Sequence, residues 1–272
     1  MSKFATIILN RNLPKITDKL YRRIKKDNDT DIFVVESGSK KKNYSKYATW
    51  VANWQSVKKN GLRFPRGMNF ALSNLWKENK FEKYEFFLLL ANDAEIKSKD
   101  CLKKFEKIFK KHPRMGLLSG CSSNWGEKLL LKKNKTMYFW HMENHAIALR
   151  KDFVLDIMNT KKPGYMNFLY DGNNFRGYGT ESELIVKAYS NFWSAAITSE
   201  IEINENQSHL INKSDLIETE NYDKNLKLYI KEGQEWMKKK YGFKSKWSMQ
   251  MYAKTFYDKF FEYYPECRKY KL

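Results

Sequence analysis

The sequence predicts an α/β fold, a mostly parallel sheet with helices packed on its faces, and three observations carry that prediction. The first is the stretch Phe86 to Ile96 (FFLLLANDAEI), where an apolar run stops abruptly on an acidic cluster. A continuous run too short for a core helix fits a strand covered on both faces, as strands of parallel sheets are. The second is the N-terminal order of strand, helix and strand, a βαβ unit whose crossover is right-handed and whose strands are therefore parallel. The third is size and composition: 272 residues, 42% hydrophobic and 30% charged, suit a globular protein whose core needs no staples. In open α/β sheets ligands sit outside the carboxyl ends of the strands. Asp93 and Glu95 then stand where a metal or a phosphate-bearing ligand would be met, the plain alternative being an ordinary solvated turn.

Taken in order, Lys3 to Leu9 (KFATIIL) reads as the first strand, rich in β-branched residues and ending at the polar Asn10-Arg11-Asn12-Leu13-Pro14. Pro14 suits a first helical turn, and Ile16, Leu20 and Ile24 recur at the spacing of one buried helical face. Asp31 to Glu36 (DIFVVE) is the second strand. Ser37-Gly38-Ser39-Lys40-Lys41-Lys42 follows it with small, hydroxylated and cationic residues that suit a diphosphate or, equally, a solvated turn. Trp50, Val51, Trp54 and Val57 predict a helix over Tyr47 to Lys59, and Gly67 to Trp76 another. Ser98 is the expected N-cap of a helix whose apolar stripe is Leu102, Phe105, Ile108 and Phe109.

Met115 to Gly120 resumes as a strand, and Cys121 to Tyr138, without a clear period, reads as a loop or short hairpin over the site. Asn144 to Arg150 is a strand, Lys151 to Met158 a short helix, and Gly172 to Gly179 a loop. Thr180 then caps a helix running to Ala188, before a strand from Trp193 to Ile201 and a loop through Gln207, Ser208 and His209. From about residue 223 the chain becomes helical, aromatic and basic, with Met249, Tyr252, Ala253, Phe256, Phe260 and Tyr264 in an amphipathic pattern. No repeat or proline-rich linker separates it. The expected organisation is one main domain over residues 1–222 with a helical tail, residues 223–272, packed on it.

The formal net charge of +20 implies attraction to something anionic: nucleic acid, acidic lipid headgroups or phosphorylated substrates. No apolar run approaches the 18 or so residues that span a bilayer, and the N-terminus lacks a secretory pattern, so the expected location is cytoplasmic, at most at the inner face of the membrane. Cys101, Cys121 and Cys267 are an odd number at wide spacing, which supports neither a disulfide framework nor a cysteine zinc site.

Three acidic positions fall on loops of one sheet edge: Glu36, Asp93, and Glu181 or Glu183. A divalent cation would take one or two such carboxylates and fill its shell from phosphates and water, and Asp93 with His209 is a reasonable pair for Mn²⁺ or Mg²⁺. A favourable charge at a helix N-terminus is the plain alternative for Glu181 and Glu183. Trp125, Trp140 and Tyr178 offer faces for a sugar ring or for core packing.

Ile7-Ile8-Leu9-Asn10-Arg11-Asn12, Phe33-Val34-Val35-Glu36-Ser37-Gly38-Ser39, Leu88-Leu89-Leu90-Ala91-Asn92-Asp93-Ala94-Glu95, Gly177-Tyr178-Gly179-Thr180-Glu181-Ser182-Glu183-Leu184 and Ser208-His209 resemble, in order, the motifs of family-two, GT-A-fold glycosyltransferases. The resemblance spans residues 4 to 215 and implies a GT-A, Rossmann-like catalytic domain, a nucleotide-sugar donor such as a UDP-sugar, a divalent metal and inversion at the anomeric carbon. It places Glu36 where the family holds the nucleoside base, with Asn10 and Arg11 on the loop beside it, and Gly67 and Asn69 on the segment flanking the donor. Ala91-Asn92-Asp93 matches the DXD loop with its first acid missing, so Asp93 alone keeps the metal-binding role there. Glu181 is implied as the base, with Glu183 exchanged for it by a one-residue shift.

The function expected is therefore inverting transfer of a sugar to a hydroxyl of a glycan or lipid-linked acceptor, in synthesis of a bacterial-type surface polysaccharide or glycoconjugate. One carboxylate suffices to take the acceptor's proton, and a metal or cations stabilise the departing diphosphate. The alternative is a non-catalytic basic protein that binds nucleic acid or lies on an anionic membrane through its tail. Against nucleic acid, no recognisable binding module is present and the cations are spread along the chain.

Overall fold

The computed structural model describes residues 2–122, 127–131, 135–142, 145–158, 161–206 and 221–272. The chain opens with β1 (Phe4–Asn10), α1 (Pro14–Asp27) and β2 (Asp31–Ser37), then β3 (Ala48–Ala52), α2 (Gln55–Asn60) and α3 (Arg63–Lys77). It continues through β4 (Phe86–Ala91), β5 (Ala94–Ile96), α4 (Cys101–Lys111), β6 (Met115–Cys121), α5 (Glu127–Leu130), β7 (Thr136–Tyr138), β8 (Ala146–Arg150) and α6 (Lys151–Ile157). The last elements are α7 (Thr180–Ser190), β9 (Ser194–Glu205), α8 (Tyr222–Tyr241) and α9 (Lys246–Tyr263).

One sheet holds the strands in the order β3-β2-β1-β4-β8-β6-β9-β5, with β7 paired to β9. Neighbours β1, β2, β3 and β4 are parallel, as are β6 and β9, while β8 runs antiparallel between β4 and β6. Six strands thus point one way and β5, β7 and β8 the other, so the α/β, mostly parallel architecture expected from the sequence is the one observed. Every residue of β4 but Ala91 is buried, which is what its unbroken apolar run requires of a central strand. The C-terminal ends of β1, β2 and β4 open on one edge, where Asn10, Glu36 and Asn92-Asp93 lie.

Four local expectations need correcting. Residues 47–59 are not one helix: Ala48–Ala52 pairs in parallel with β2, and the short α2 begins only after Trp54. Thr49, Trp50 and Val51 are β-branched and aromatic, and a free sheet edge let that preference prevail over the helical spacing. Asp100, in the left-handed region at φ 49°, occupies the N-cap of α4, while Ser98 turns away and accepts from the Glu202 backbone N–H. Gly179, at φ 79°, is the N-cap of α7, and Thr180 is its first helical residue, donating from Oγ1 to the Gly177 carbonyl. Finally, β9 runs on to Glu205, and its far end pairs with β5. That extension brings the chain back beside Asp93.

The tail is packed, not free. Trp236 and Met237 of α8, and Met249, Ala253, Tyr257, Phe260 and Phe261 of α9, join the same hydrophobic core as the sheet. Helix α9 lies along α7, with Tyr257 and Phe260 meeting Tyr189 edge-on. No helix among the described residues is long and apolar enough to cross a membrane.

Candidate functional site

Two polar clusters hold the sequence-predicted residues. The first is at the open sheet edge. Asn10, fully buried at the end of β1, donates from Nδ2 to both oxygens of Glu36 at 3.0 and 2.9 Å. Its Oδ1 accepts from the Leu13 backbone N–H and the Thr17 hydroxyl, which fixes the start of α1. Glu36 is equally buried and takes a further bond from the Ser45 N–H at 2.7 Å. Burial pushes its carboxyl above the usual range, against the hydrogen bonds from Ser39, Asn10 and Ser45 that pull it down. Its donors thus come from β1 and the loop after β2, and Glu36 acts as the clasp that closes this corner.

Arg11 has the same character. Its Nη1 donates to the carbonyls of Ser37, Gly38 and Val57, and its Nη2 to those of Lys58 and Lys59. The guanidinium therefore ties the loop after β2 to the end of α2. Gly38 has φ +70°, and a Cβ there would sit 2.0 Å from the Val57 carbonyl oxygen, so only glycine lets the two segments close. Gly67 lets α3 lie on β1, since a Cβ would fall 2.4 Å from a Leu9 methyl. Asn69, two residues on, uses its whole hydrogen-bonding capacity on residues 165–170: Nδ2 donates to the Tyr165 and Tyr170 carbonyls and Oδ1 accepts from the Leu169 and Tyr170 N–H groups. Arg11, Gly67 and Asn69 thus shape the edge through backbone and packing contacts.

Asp93 differs. Only 8% exposed, it has an Oδ1 with no hydrogen-bond partner, while its backbone carbonyl accepts from the Asn206 N–H at 2.9 Å. Burial, with the nearby Glu205 carboxylate adding to it, pushes Asp93 up to about 7. A buried carboxyl beside another acid and lacking a donor holds its proton more tightly than a solvated one. Asn92 stands between the two groups, its amide 3.3 Å from the Thr17 hydroxyl and 3.5 Å from Asn10 Oδ1. Among the described residues no group of three or more His, Cys, Asp or Glu could hold a metal. His209, the expected second ligand, lies outside the described residues, as does Trp125.

The second cluster surrounds the N-terminus of α7, where Glu181 and Glu183 are both buried. Glu183 Oε1 accepts from Lys240 at 2.7 Å and Tyr241 Oη at 2.6 Å, both at the end of α8. Lys240 also reaches Asp171 Oδ2 at 2.7 Å, joined there by Trp236 Nε1. Asp171 is held down to about 2: burial opposes ionisation, but the bonds from Lys240, Trp236 and the Asn173 N–H outweigh it. Glu181 Oε1 is 2.6 Å from Lys246 Nζ at the start of α9, a contact that is an ion pair and not an aligned hydrogen bond. Its Oε2 accepts no hydrogen bond among the described residues. Tyr170, fully buried beside it, has an unpartnered hydroxyl that burial and then the Glu181 charge push upward.

The structure thus brings Asn10, Arg11, Glu36, Asn92 and Asp93 to one edge and Glu181 and Glu183 to a helix start, and no hydrogen bond or ion pair joins the two acids to Asn10, Glu36, Asn92 or Asp93. They are linked through α3, because Asn69 fixes the loop that carries Tyr170 toward Glu181. Trp140 packs on Tyr257 and Tyr178 on Tyr229. Sequence reasoning missed Asp171, Lys240, Tyr241 and Lys246. The chain carries Lys238-Lys239-Lys240 in succession, but nothing local in the sequence tells which acid such a run meets.

No protein-family model matches the chain, and no curated protein matches it. Among solved structures it is similar to GalNAc-T7 with UDP, GalNAc and Mn²⁺, at TM-score 0.47 and 8% identity over 75% of this chain and 44% of that one. It is also similar to residues 1–349 of TarS from S. aureus, at TM-score 0.46 and 13% identity over 88% and 73% of the two chains. A third is glucosyl-3-phosphoglycerate synthase from Mycobacterium tuberculosis in complex with Mg²⁺ and UDP, at TM-score 0.43 and 12% identity over 75% and 69%. All three likenesses are distant, and the chain spans less than half the length of the first.

Proposed function

We propose that this chain is a glycosyltransferase that moves a sugar from a nucleoside-diphosphate sugar, such as a UDP-sugar, to a hydroxyl acceptor with inversion. The observation that carries the reading is Asp93: a buried carboxylate oxygen without a donor, at the carboxyl end of the central strand where an α/β sheet meets its ligands. Such an oxygen fits a divalent cation, Mn²⁺ or Mg²⁺, held by Asp93 and by the donor's own phosphates. When bound, the ion neutralises the charge that develops on the departing diphosphate.

The chain's own residues supply the rest. Asn10 and Glu36 hold the β1 and β2 ends in register, and Arg11 braces the loop that borders the donor. Of the two acids on α7, Glu181 suits the base better, because Glu183 is committed to Lys240 and Tyr241 while Glu181 keeps Oε2 without a hydrogen bond. In this reading Oε2 takes the acceptor's proton as its oxygen attacks, and Lys246 fixes the carboxylate's orientation from the other side. The tail presents Leu226, Ile230 and Trp247 to solvent among exposed lysines, a surface suited to anionic lipid and hence to a lipid-linked acceptor.

The test is to titrate UDP with and without Mn²⁺ by calorimetry and to follow sugar transfer across a panel of acceptors. Asp93→Asn is expected to remove the Mn²⁺-dependent part of UDP binding. Glu181→Gln is expected to lower turnover by about 10²–10⁴ with donor binding nearly unchanged, the usual worth of a general base. Full turnover in both the Glu181→Gln and the Glu183→Gln proteins would overturn the mechanism.

A further inference from the structure

At the amino ends of β6 and β9, the opposite end of the sheet from Asn10, Glu36 and Asp93, the surface carries a group of rings and cations that the transfer reaction leaves unused. Strand β6 alone runs seven residues, about 20 Å, between the two ends. Phe192, two residues before β9, is 45% exposed, and Tyr263, the last residue of α9, is 63% exposed. Their rings meet edge to face at 5.3 Å and 86°, and Phe192 stands at 80° to Tyr264. The guanidinium of Arg114, just before β6, lies 4.0 Å over the Tyr264 ring.

Phe192 is a costly residue in its place. Helix α7 ends in a closing turn in which the Phe192 N–H donates to the Tyr189 carbonyl at 3.2 Å and the Trp193 N–H to the Ala188 carbonyl at 2.9 Å. That turn holds Phe192 in the left-handed region at φ 61°, a position that glycine usually fills. Asn12, Asn79 and Asp100 share that region, but their short polar side chains tolerate it and a phenyl ring does not. A strained backbone that holds an apolar ring out to solvent points to a contact made by that ring.

The cations are uncommitted as well. Arg114, Lys111 and Lys269 are exposed, and the Arg114 side chain makes no hydrogen bond or ion pair among the described residues. Arg114 and Lys269 both act on the Cys267 thiol, and Lys111 and Lys269 on the His112 ring, so the three share one corner, with the Glu266 carboxylate beside them. A guanidinium backed on an aromatic face offers its nitrogens as a fork to a carboxylate or phosphate. A lone anion would leave the rings uncovered, and a neutral sugar would leave the cations unmatched. A chain of sugar rings that carries anionic groups uses both.

We infer that this corner binds an acidic glycan chain, its sugar C–H faces on Phe192 and Tyr263 and its carboxylate or phosphate groups on Arg114 and Lys269. The site shares no residue with the proposed transfer reaction, so binding stands or falls here whether or not the protein turns over a nucleotide sugar.

Calorimetric titration of the full chain with hyaluronate and phosphomannan oligosaccharides, neutral dextran oligosaccharides and inorganic polyphosphate tests it. Saturable binding of hyaluronate or phosphomannan, about tenfold or more tighter than dextran or polyphosphate, is expected, and the tighter of the two assigns the anionic group as carboxylate or phosphate. Arg114→Gln should weaken that binding about tenfold. Phe192→Gly should weaken it as much while the protein melts with the wild type, since glycine relieves the turn. Tyr263→Ala, at a largely exposed position, should do the same, and it decides the matter if the Phe192→Gly protein melts early. Binding unchanged in Arg114→Gln and Tyr263→Ala, dextran or polyphosphate as tight as the acidic glycans, or no saturable binding of any probe overturns the proposal.

Discussion

Glu36 and Asp93 are two buried acids at the carboxyl edge of two parallel strands that flank β1, and the protein treats them in opposite ways. Glu36 receives hydrogen bonds from Asn10 and Ser45 on both carboxylate oxygens, whereas Asp93 is left with an oxygen that nothing donates to. Burial drives the proton affinity of both upward. What separates them is the supply of donors: the fold provides them for Glu36 and leaves Asp93 Oδ1 without one. The same division recurs on α7, where Glu183 is bound by Lys240 and Tyr241 and Glu181 by one cation. Position at a strand end or helix start thus does not by itself separate a carboxylate used by the fold from one left with an open oxygen.

The sharpest way to break that comparison is to remove the clasp. Glu36→Ala strands the Asn10 amide and the Ser45 N–H in a dry corner, and should cost about 3–5 kcal/mol in urea unfolding. A loss under about 1 kcal/mol would mean that water fills the corner and that Glu36 is as open as Asp93. A smaller effect is expected on α7. Glu183→Ala removes one partner of Lys240 but leaves Asp171, so about 2–3 kcal/mol should go. Because the lost contact ties α8 to α7, amide exchange in residues 222–241 should rise more than in β4.

Much of this was legible in the sequence, and the reasons for the rest are physical. The βαβ opening, the buried run of β4 and the acidic turn after it follow from periodicity and composition, which act over a few residues. The helix expected at 47–59 failed because the β preference of Thr49, Trp50 and Val51 outweighed the helical spacing of Trp50, Trp54 and Val57, and only the free edge of β2 decides between them. Asp93 could be placed at the site from its strand, but the saturation of Glu36, Arg11 and Asn69 could not be foreseen. Their partners lie 9 to 48 positions away for the first two, and about a hundred for Asn69. Hydrogen-bond capacity is spent in three dimensions, so a sequence shows which side chains have it and not where it goes.

The smallest expected effect bears on Asp93 itself and carries a definite sign with pH. Its proton affinity is raised from 3.8 to about 7 in the native state, so between those values the folded protein holds a proton that the unfolded chain has lost. Where the native state binds more protons, stability falls as pH rises. Asp93's favourable term is therefore complete below pH 4, fades up to pH 7 and is gone above it. In chelator-treated buffer at pH 8, Asp93→Asn should stabilise the protein by about 1–3 kcal/mol, because the uncharged amide avoids burying a bare charge but still lacks a partner. At pH 4 the two proteins should unfold together. Adding Mn²⁺ and UDP at pH 8 should reverse the order, since the wild type alone gains a ligand that binds only its folded state. A variant less stable than the wild type throughout would show that Asp93 is already satisfied by the protein, and would erase the distinction from Glu36.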